Sequence, residues 1–196
     1  LFVQDSANHP LLKYTSSNSI PTNKGTMEFK FTPVNWNRDL DSGKVLFWSN
    51  TAEADLMIRY SGNGGGVFPS YQLFVEIGAW GWPQCPIPEQ ASDIGCVSTI
   101  FADVEDWFNS DGSLSDYGRQ EHTITLTWDY PNYEAVVYID GNLKGIRRDK
   151  FVYSSLVNYF SPFYIGTPPE EITQILILNA YIDEFKVYDY VKNPGG

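Results

Sequence analysis

Along most of this chain, hydrophobic and polar positions alternate with a period of two. In HTITLTWD (122–129), Ile124, Leu126 and Trp128 fall on one side, and Thr123, Thr125 and Thr127 on the other. TMEFKF (26–31) sets Met27, Phe29 and Phe31 against Glu28 and Lys30. YQLFVEI (71–77) groups Leu73, Val75 and Ile77. KVLFWS (44–49) and DLMIRY (55–60) are short apolar runs. EAVVYID (134–140), LKGIRR, FYIG and ITQILIL continue the series. Such alternation predicts antiparallel strands with one face on a core and one in water. Asp140-Gly141 between two of these runs predicts a tight hairpin, because primed turns need positive φ. The last run, YIDEFKVYDY (181–190), changes phase: Ile182 has even parity, Phe185 and Val187 odd. One extra residue near Asp183–Glu184, a β-bulge, would put all three on the buried face.

Helical patterning is sparse. IFADVEDWF (100–108) has room for at most about two turns. The stretch 78–120 reads as one long connection, and long connections in compact domains are usually functional or disordered. Its tryptophans and cysteines, with GAWGWPQCPIPEQASDIGC (78–96) at its start, argue for order. GNGGG (62–66) lacks the strand–helix setting of a dinucleotide fingerprint and reads as a turn. No repeat or linker divides the chain, so residues 1–196 are expected to form a single domain.

Composition narrows the function. A net charge of −11 and scattered Lys and Arg exclude a nucleic-acid surface, which needs a basic patch. No apolar run approaches the ~20 residues of a membrane span, so membrane insertion is not expected. Aromatic residues make up 16 % of the chain, a level that suits both strands and binding surfaces. The two cysteines, Cys85 and Cys96, flank a Pro-rich segment and are expected to form a disulfide in an oxidising compartment. No Asn-x-Ser/Thr acceptor is present. The chain starts at Leu1 without a visible signal peptide, which suggests a processed or excised chain.

Catalytic chemistry finds little support. A glycosidase cleft needs several carboxylates on one strand face. Glu53 and Asp55 make one such pair with no third, and Asp103 and Glu105 lie outside a clear strand. His9 and His122 are the only histidines, and the cysteines lack zinc-ligand spacing. Two loops offer oxygen ligands for a structural calcium: DLDSG with Asp39 and Asp41, and NSDGSLSD with Asn109, Asp111 and Asp116. The second fails the EF-hand frame, and plain solvated turns are the favoured reading of both loops. No cofactor is expected beyond such a calcium.

Taken in order, GTMEFKFTPVNW, GKVLFWS, HTITLTWD, VYIDGNLKG, FYIGT and YIDEFKVYDY resemble the laminin-G-like, concanavalin-A-like lectin jelly rolls from about residue 20 to 190. The resemblance implies an all-β, two-sheet antiparallel β-sandwich and a binding module rather than an enzyme. It also implies an extracellular, cell-surface or virion-surface location, and a structural His at the position of His122. The opening strand is short or missing before Leu1, as though cut off or supplied by a neighbour, and the 78–120 excursion is larger than the common pattern. Two functions stay open: a carbohydrate-binding module whose partner is a polysaccharide or glycan, and a structural or adhesive domain whose partner is a neighbouring protein chain. Trp80 and Trp82 share one direction if their segment is extended, and they are the leading contact candidates. Trp107, Tyr60 and Tyr71 complete the candidate ligand-binding set. The competing reading makes Trp80 and Trp82 caps over one end of the sandwich.

Overall fold

A computed structural model describes residues 2–3, 12–14, 20–21, 23–39, 43–50, 55–62, 72–78, 97–148, 163–166 and 178–194. Among these residues the chain is built from twelve strands: β1 Phe2–Val3, β2 Leu12–Tyr14, β3 Lys24–Pro33, β4 Lys44–Asn50, β5 Asp55–Ser61, β6 Gln72–Gly78, β7 Val97–Asp103, β8 His122–Asp129, β9 Glu134–Ile139, β10 Asn142–Arg147, β11 Phe163–Ile165 and β12 Ala180–Tyr188. They form two six-stranded antiparallel sheets. Sheet A runs β1-β12-β3-β8-β9-β10 and sheet B runs β2-β11-β4-β5-β6-β7. The expected all-β sandwich is therefore the fold. Its helical content among the described residues is two single 3₁₀ turns, Glu105–Trp107 and Tyr130–Asn132.

The alternating residues meet between the sheets. Met27, Phe29 and Phe31 of β3, Ile124, Leu126 and Trp128 of β8, and Val137 and Ile139 of β9 face Phe47, Leu56, Ile58, Leu73 and Val75 of sheet B across one buried core. The hairpin at Asp140-Gly141 joins β9 to β10 with positive φ at both residues, 51° and 75°. The register of β12 on β3 slips between Ile182 and Glu184, so Ile182 pairs with Phe31, Phe185 with Phe29 and Val187 with Met27. The bulge expected from the phase change is present, and it puts the three residues on the core face. Burial of this set is graded: Ile182 is buried, whereas Phe185 and Val187 pack on the core but are only half-buried. Their strand lies near the edge of sheet A, and among the described residues only β1, at its start, lies beyond it.

The face of β8 expected to be wet is dry at its centre. Thr125 and Thr127 are buried, as is Thr26 beside them on β3. After β12 the chain turns back over this face. The Thr26 hydroxyl donates to the Tyr190 carbonyl at 2.7 Å and accepts from the Lys192 amide at 2.8 Å. The Lys192 ammonium reaches Glu28 Oε1 at 2.6 Å, and the Tyr188 hydroxyl donates to Glu28 Oε2 at 2.8 Å. Burial opposes the charge on Glu28, but the bonds from Lys192 and Tyr188 outweigh it and hold the carboxyl below its ordinary range.

Candidate functional site

The 78–120 region is not one excursion. β7 runs through it and pairs with β6 from Gln72↔Asp103 to Gly78↔Val97. Two separate connections result, at opposite ends of sheet B. Residues 79–96 leave and return at the Gly78–Val97 end, and residues 104–121 leave at the Asp103 end. Six residue steps at ~3.3 Å put these anchors about 20 Å apart. Trp107 thus belongs to the opposite end from the 79–96 connection. Trp80, Trp82, Cys85 and Cys96 lie outside the described residues, as does Tyr71, so the expected disulfide and these contact candidates rest on the sequence alone.

Two of the five candidate ligand contacts are corrected by their burial. Tyr60 is 0 % exposed and Trp107 is 1 % exposed. Tyr60 lies on the inner face of β5, stacked on Trp36 at 5.1 Å and on Phe108 at 5.4 Å. Trp107 stacks on His122 at 4.1 Å with 15° between the rings, and also meets Phe31 and Trp36. The indole N–H of Trp36 donates to the carbonyls of Leu178 and Asn179, at 2.7 and 2.9 Å. Together these rings plug one end of the sandwich. An indole in a long loop has to hide most of its area, and here it does so inward.

The 104–121 segment is fastened over that plug. Asp103 Oδ1 accepts from the Glu105 amide at 2.8 Å and starts the 3₁₀ turn. The Ser115 amide donates to the Trp107 carbonyl at 2.8 Å, and Gly118 passes so close that a Cβ there would sit 2.0 Å from that oxygen. His122 is fully buried. Its Nδ1 lies 2.8 Å from Asp140 Oδ2, which also accepts from the Tyr117 hydroxyl at 2.7 Å. Asp140 Oδ1 accepts from the Thr123 amide at 2.8 Å. A carboxylate can only accept, so the imidazole proton sits on Nδ1. His122 Nε2 is buried with no hydrogen-bond partner among the described residues. Burial opposes ionisation of Asp140, but the bonds from His122, Thr123 and Tyr117 prevail and hold its carboxyl below the usual range. Burial and the neighbouring Asp140 push the Tyr117 phenol up to about 12. The structural histidine implied by the resemblance thus ties the β9–β10 turn, the start of β8 and the 104–121 segment together.

Among the described residues no group of three His, Cys, Asp or Glu side chains could hold a metal ion. The two candidate calcium loops do meet: the Arg38 amide donates to the Gly112 carbonyl at 2.8 Å, and Asn37 bridges to Ser113. Arg38 supplies the cation there, with Nε 3.1 Å from Asp39 Oδ1. Asp111 is taken up by the amide and hydroxyl of Ser113, at 3.0 and 2.6 Å. Asp41 lies outside the described residues, and Asp116 is exposed. Asp103, expected to lie outside a clear strand, is instead the last residue of β7, and its carboxylate is taken up by the Glu105 amide.

A surface that the sequence reading passed over lies on the outer face of sheet B. Phe74 and Phe101 are cross-strand partners on β6 and β7, edge to face with centroids 5.1 Å apart. Phe74 is buried, Phe101 is 39 % exposed, and the Arg59 guanidinium lies 5.3 Å from the Phe74 ring centre. Val45, Trp48 and Met57 form a second small cluster on this sheet, separate from the main core, with Tyr164 packed against it. The signal was available: KVLFWS is apolar at both parities, the mark of a strand buried on two faces, and Phe74 stands between Gln72 and Glu76 on the polar side of YQLFVEI.

No protein-family model matches this chain, and no curated protein matches it in sequence. Solved structures do match in fold. A heptameric SAP-like pentraxin from Limulus polyphemus superposes with a TM-score of 0.57 at 13 % identity, over 99 % of this chain and 76 % of that one. A botulinum neurotoxin type C structure gives 0.58 at 15 % identity, and a botulinum neurotoxin DC binding domain gives 0.57 at 12 % identity. Each of these two superpositions covers 88 % of this chain and 33 % of the neurotoxin chain, so this chain spans about a third of the neurotoxin chains it resembles. The two packed antiparallel sheets and this likeness define the fold as a lectin-like jelly roll.

Proposed function

We propose that this chain is a non-catalytic carbohydrate-binding module of a secreted or surface protein. The observation that carries the reading is the lectin-like fold, shared with a neurotoxin domain solved in complex with SialylT and with another whose cell entry depends on two ganglioside molecules. The flat, half-open Phe101 ring, backed by Phe74 and Arg59, is the kind of platform on which a sugar ring stacks. Trp80 and Trp82 remain the leading contacts, on the connection that returns into β7, the strand carrying Phe101. The net charge of −11, and the exposed acids Glu105, Asp106, Asp111, Asp116 and Glu121 around the other end, favour neutral glycans over sulfated ones.

A glycan array on the isolated chain tests the class. Replacing Trp80 and Trp82 together by Ala is expected to weaken the best neutral glycan at least about tenfold, or ~1.4 kcal/mol, with little change in melting temperature. Retained affinity with a melting temperature several degrees lower would make both indoles caps, and the surface would then centre on Phe101. An array with no glycan signal, neutral or sialylated, would defeat the reading. The second reading, a structural or adhesive domain that binds a neighbouring chain, draws support from the aromatic row Phe185–Phe163–Tyr14, which ends in a 45 % exposed ring.

A further inference from the structure

Among the described residues, four that are not glycine hold a left-handed backbone. Asn35, Asp140 and Asn179 are of the types that take positive φ readily; Tyr133, at φ 54°, is not. It closes the turn between β8 and β9. Seven residue steps of β8, at ~3.3 Å each, put this turn about 23 Å from the plugged end, at the end from which residues 79–96 leave. A glycine or an asparagine would close the turn without strain, so the backbone does not call for a tyrosine. The core does not call for one either. Tyr133 is 42 % exposed, and among the described residues its side chain has no hydrogen bond and no aromatic neighbour. The turn that carries the ring is nonetheless firmly held. Tyr130 is buried, and its amide donates to the Asn23 carbonyl at 2.8 Å. Asp129 accepts from the Asn132 amide on one oxygen, at 3.2 Å, and from the Asn132 side-chain amide on the other, at 2.9 Å. The Tyr133 amide donates to the Tyr130 carbonyl at 3.0 Å, and Pro131 fixes its own φ between them. Directly after the ring, Glu134 Oε2 accepts from Arg148 Nε at 2.8 Å.

We propose that Tyr133 is the stacking platform of a glycan subsite on the β8–β9 turn, which takes one hexopyranose unit of a neutral oligosaccharide. The proposal rests on the carbohydrate-binding reading of the chain and gives it a contact residue that the sequence reading did not single out. Backbone strain kept at a surface position, under a ring that neither the turn nor the core uses, is the mark of a residue retained for recognition. The face of a phenol ring packs on the C–H face of a pyranose, and polar groups at its rim take the hydroxyls. Such groups flank the ring in the chain: Asn132 before it, and Glu134 with Arg148 after it. Each is held by its own bond before a ligand arrives, so little side-chain entropy is lost on binding. The turn also carries no excess of positive charge. Glu134 offsets Arg148, and Lys24 is the cross-strand partner of Asp129. An uncharged sugar unit suits such a surface better than an anionic one.

The probe is the oligosaccharide that binds the 196-residue chain most strongly on the glycan array, titrated by calorimetry against native and variant chains. Tyr133→Gly removes the ring and relieves the left-handed backbone. It should weaken binding at least about tenfold while the melting temperature stays level or rises. Tyr133→Asn, whose side chain tolerates the same backbone, should behave alike. Tyr133→Phe keeps the stacking face and should bind within about threefold of the native chain. A ring that served the fold would give the reverse pattern: a melting temperature several degrees lower in both Tyr133→Gly and Tyr133→Asn, which overturns the proposal. So does a Tyr133→Gly chain that binds within about threefold of native, an outcome that leaves the glycan reading standing and moves the contact to Phe101 or to Trp80 and Trp82. An array without any glycan signal removes the reading and this subsite together, so the array result tells the two failures apart.

Discussion

The two long sides of this sandwich are finished differently. On one side, β10 of sheet A and β7 of sheet B close on each other: Gly145 lies so near Ile100 that a Cβ there would stand 2.4 Å from the Ile100 Cγ2 methyl and 3.2 Å from the Phe101 carbonyl. Ile100 is buried as a result. On the other side, β12 and the β2–β11 pair frame an aromatic row running from Phe185 through Phe163 to a well-exposed Tyr14. The closed side uses a missing side chain to let two edges touch. The open side uses large rings whose flanks stay partly in water. A sandwich need not bury its aromatic rows equally on both sides to be stable.

Filling the closed side should break this contrast most sharply. Gly145→Ala pushes a methyl into Ile100 and a backbone carbonyl, and should cost about 2 kcal/mol by overpacking, read from urea melts. On the open side, Phe185→Ala removes a ring in contact with Phe29, Phe47 and Phe163. Because part of that ring already faces water, the loss should be about 2 kcal/mol or less, below the ~3–5 of a fully buried Phe. A cost at the top of that range would mean that the open side is as closed as the other. The strap over sheet A gives a smaller effect. Glu28→Gln should cost about 0.5–1 kcal/mol near neutral pH, since its partners are partly exposed. The carboxyl of Glu28 is held below its unfolded value, so its contribution is full above about pH 4.5 and disappears as the pH falls through the lower folded value. The gap between Glu28→Gln and the native chain should therefore narrow on acidification, and a gap that widens would contradict the network described. Smallest of all, Glu184→Lys should leave the melting temperature nearly unchanged, because its pairs with Lys30 and Lys186 sit at the surface.

What the sequence alone determined was local. Period-two alternation identified the strands and their core faces, because a pleated strand has no other way to separate its apolar residues. The hairpin at Asp140-Gly141 and the bulge beside Asp183 were legible for the same reason: positive φ and a parity break are properties of a few adjacent residues. Three matters were settled only by the tertiary structure. Whether Thr125 and Thr127 stay wet depended on a tail some sixty residues later crossing their face. Whether Trp107 and Tyr60 face a ligand or the core depended on Trp36, Phe108 and His122 being brought to them by distant parts of the chain. And the apparent single excursion at 78–120 divided in two because 97–103 found a partner in β6, a pairing whose stability lies in Phe74, Val75 and Leu73 rather than in the loop itself. Burial is a property of what comes from elsewhere in the chain, and one strand's own pattern carries only half of it.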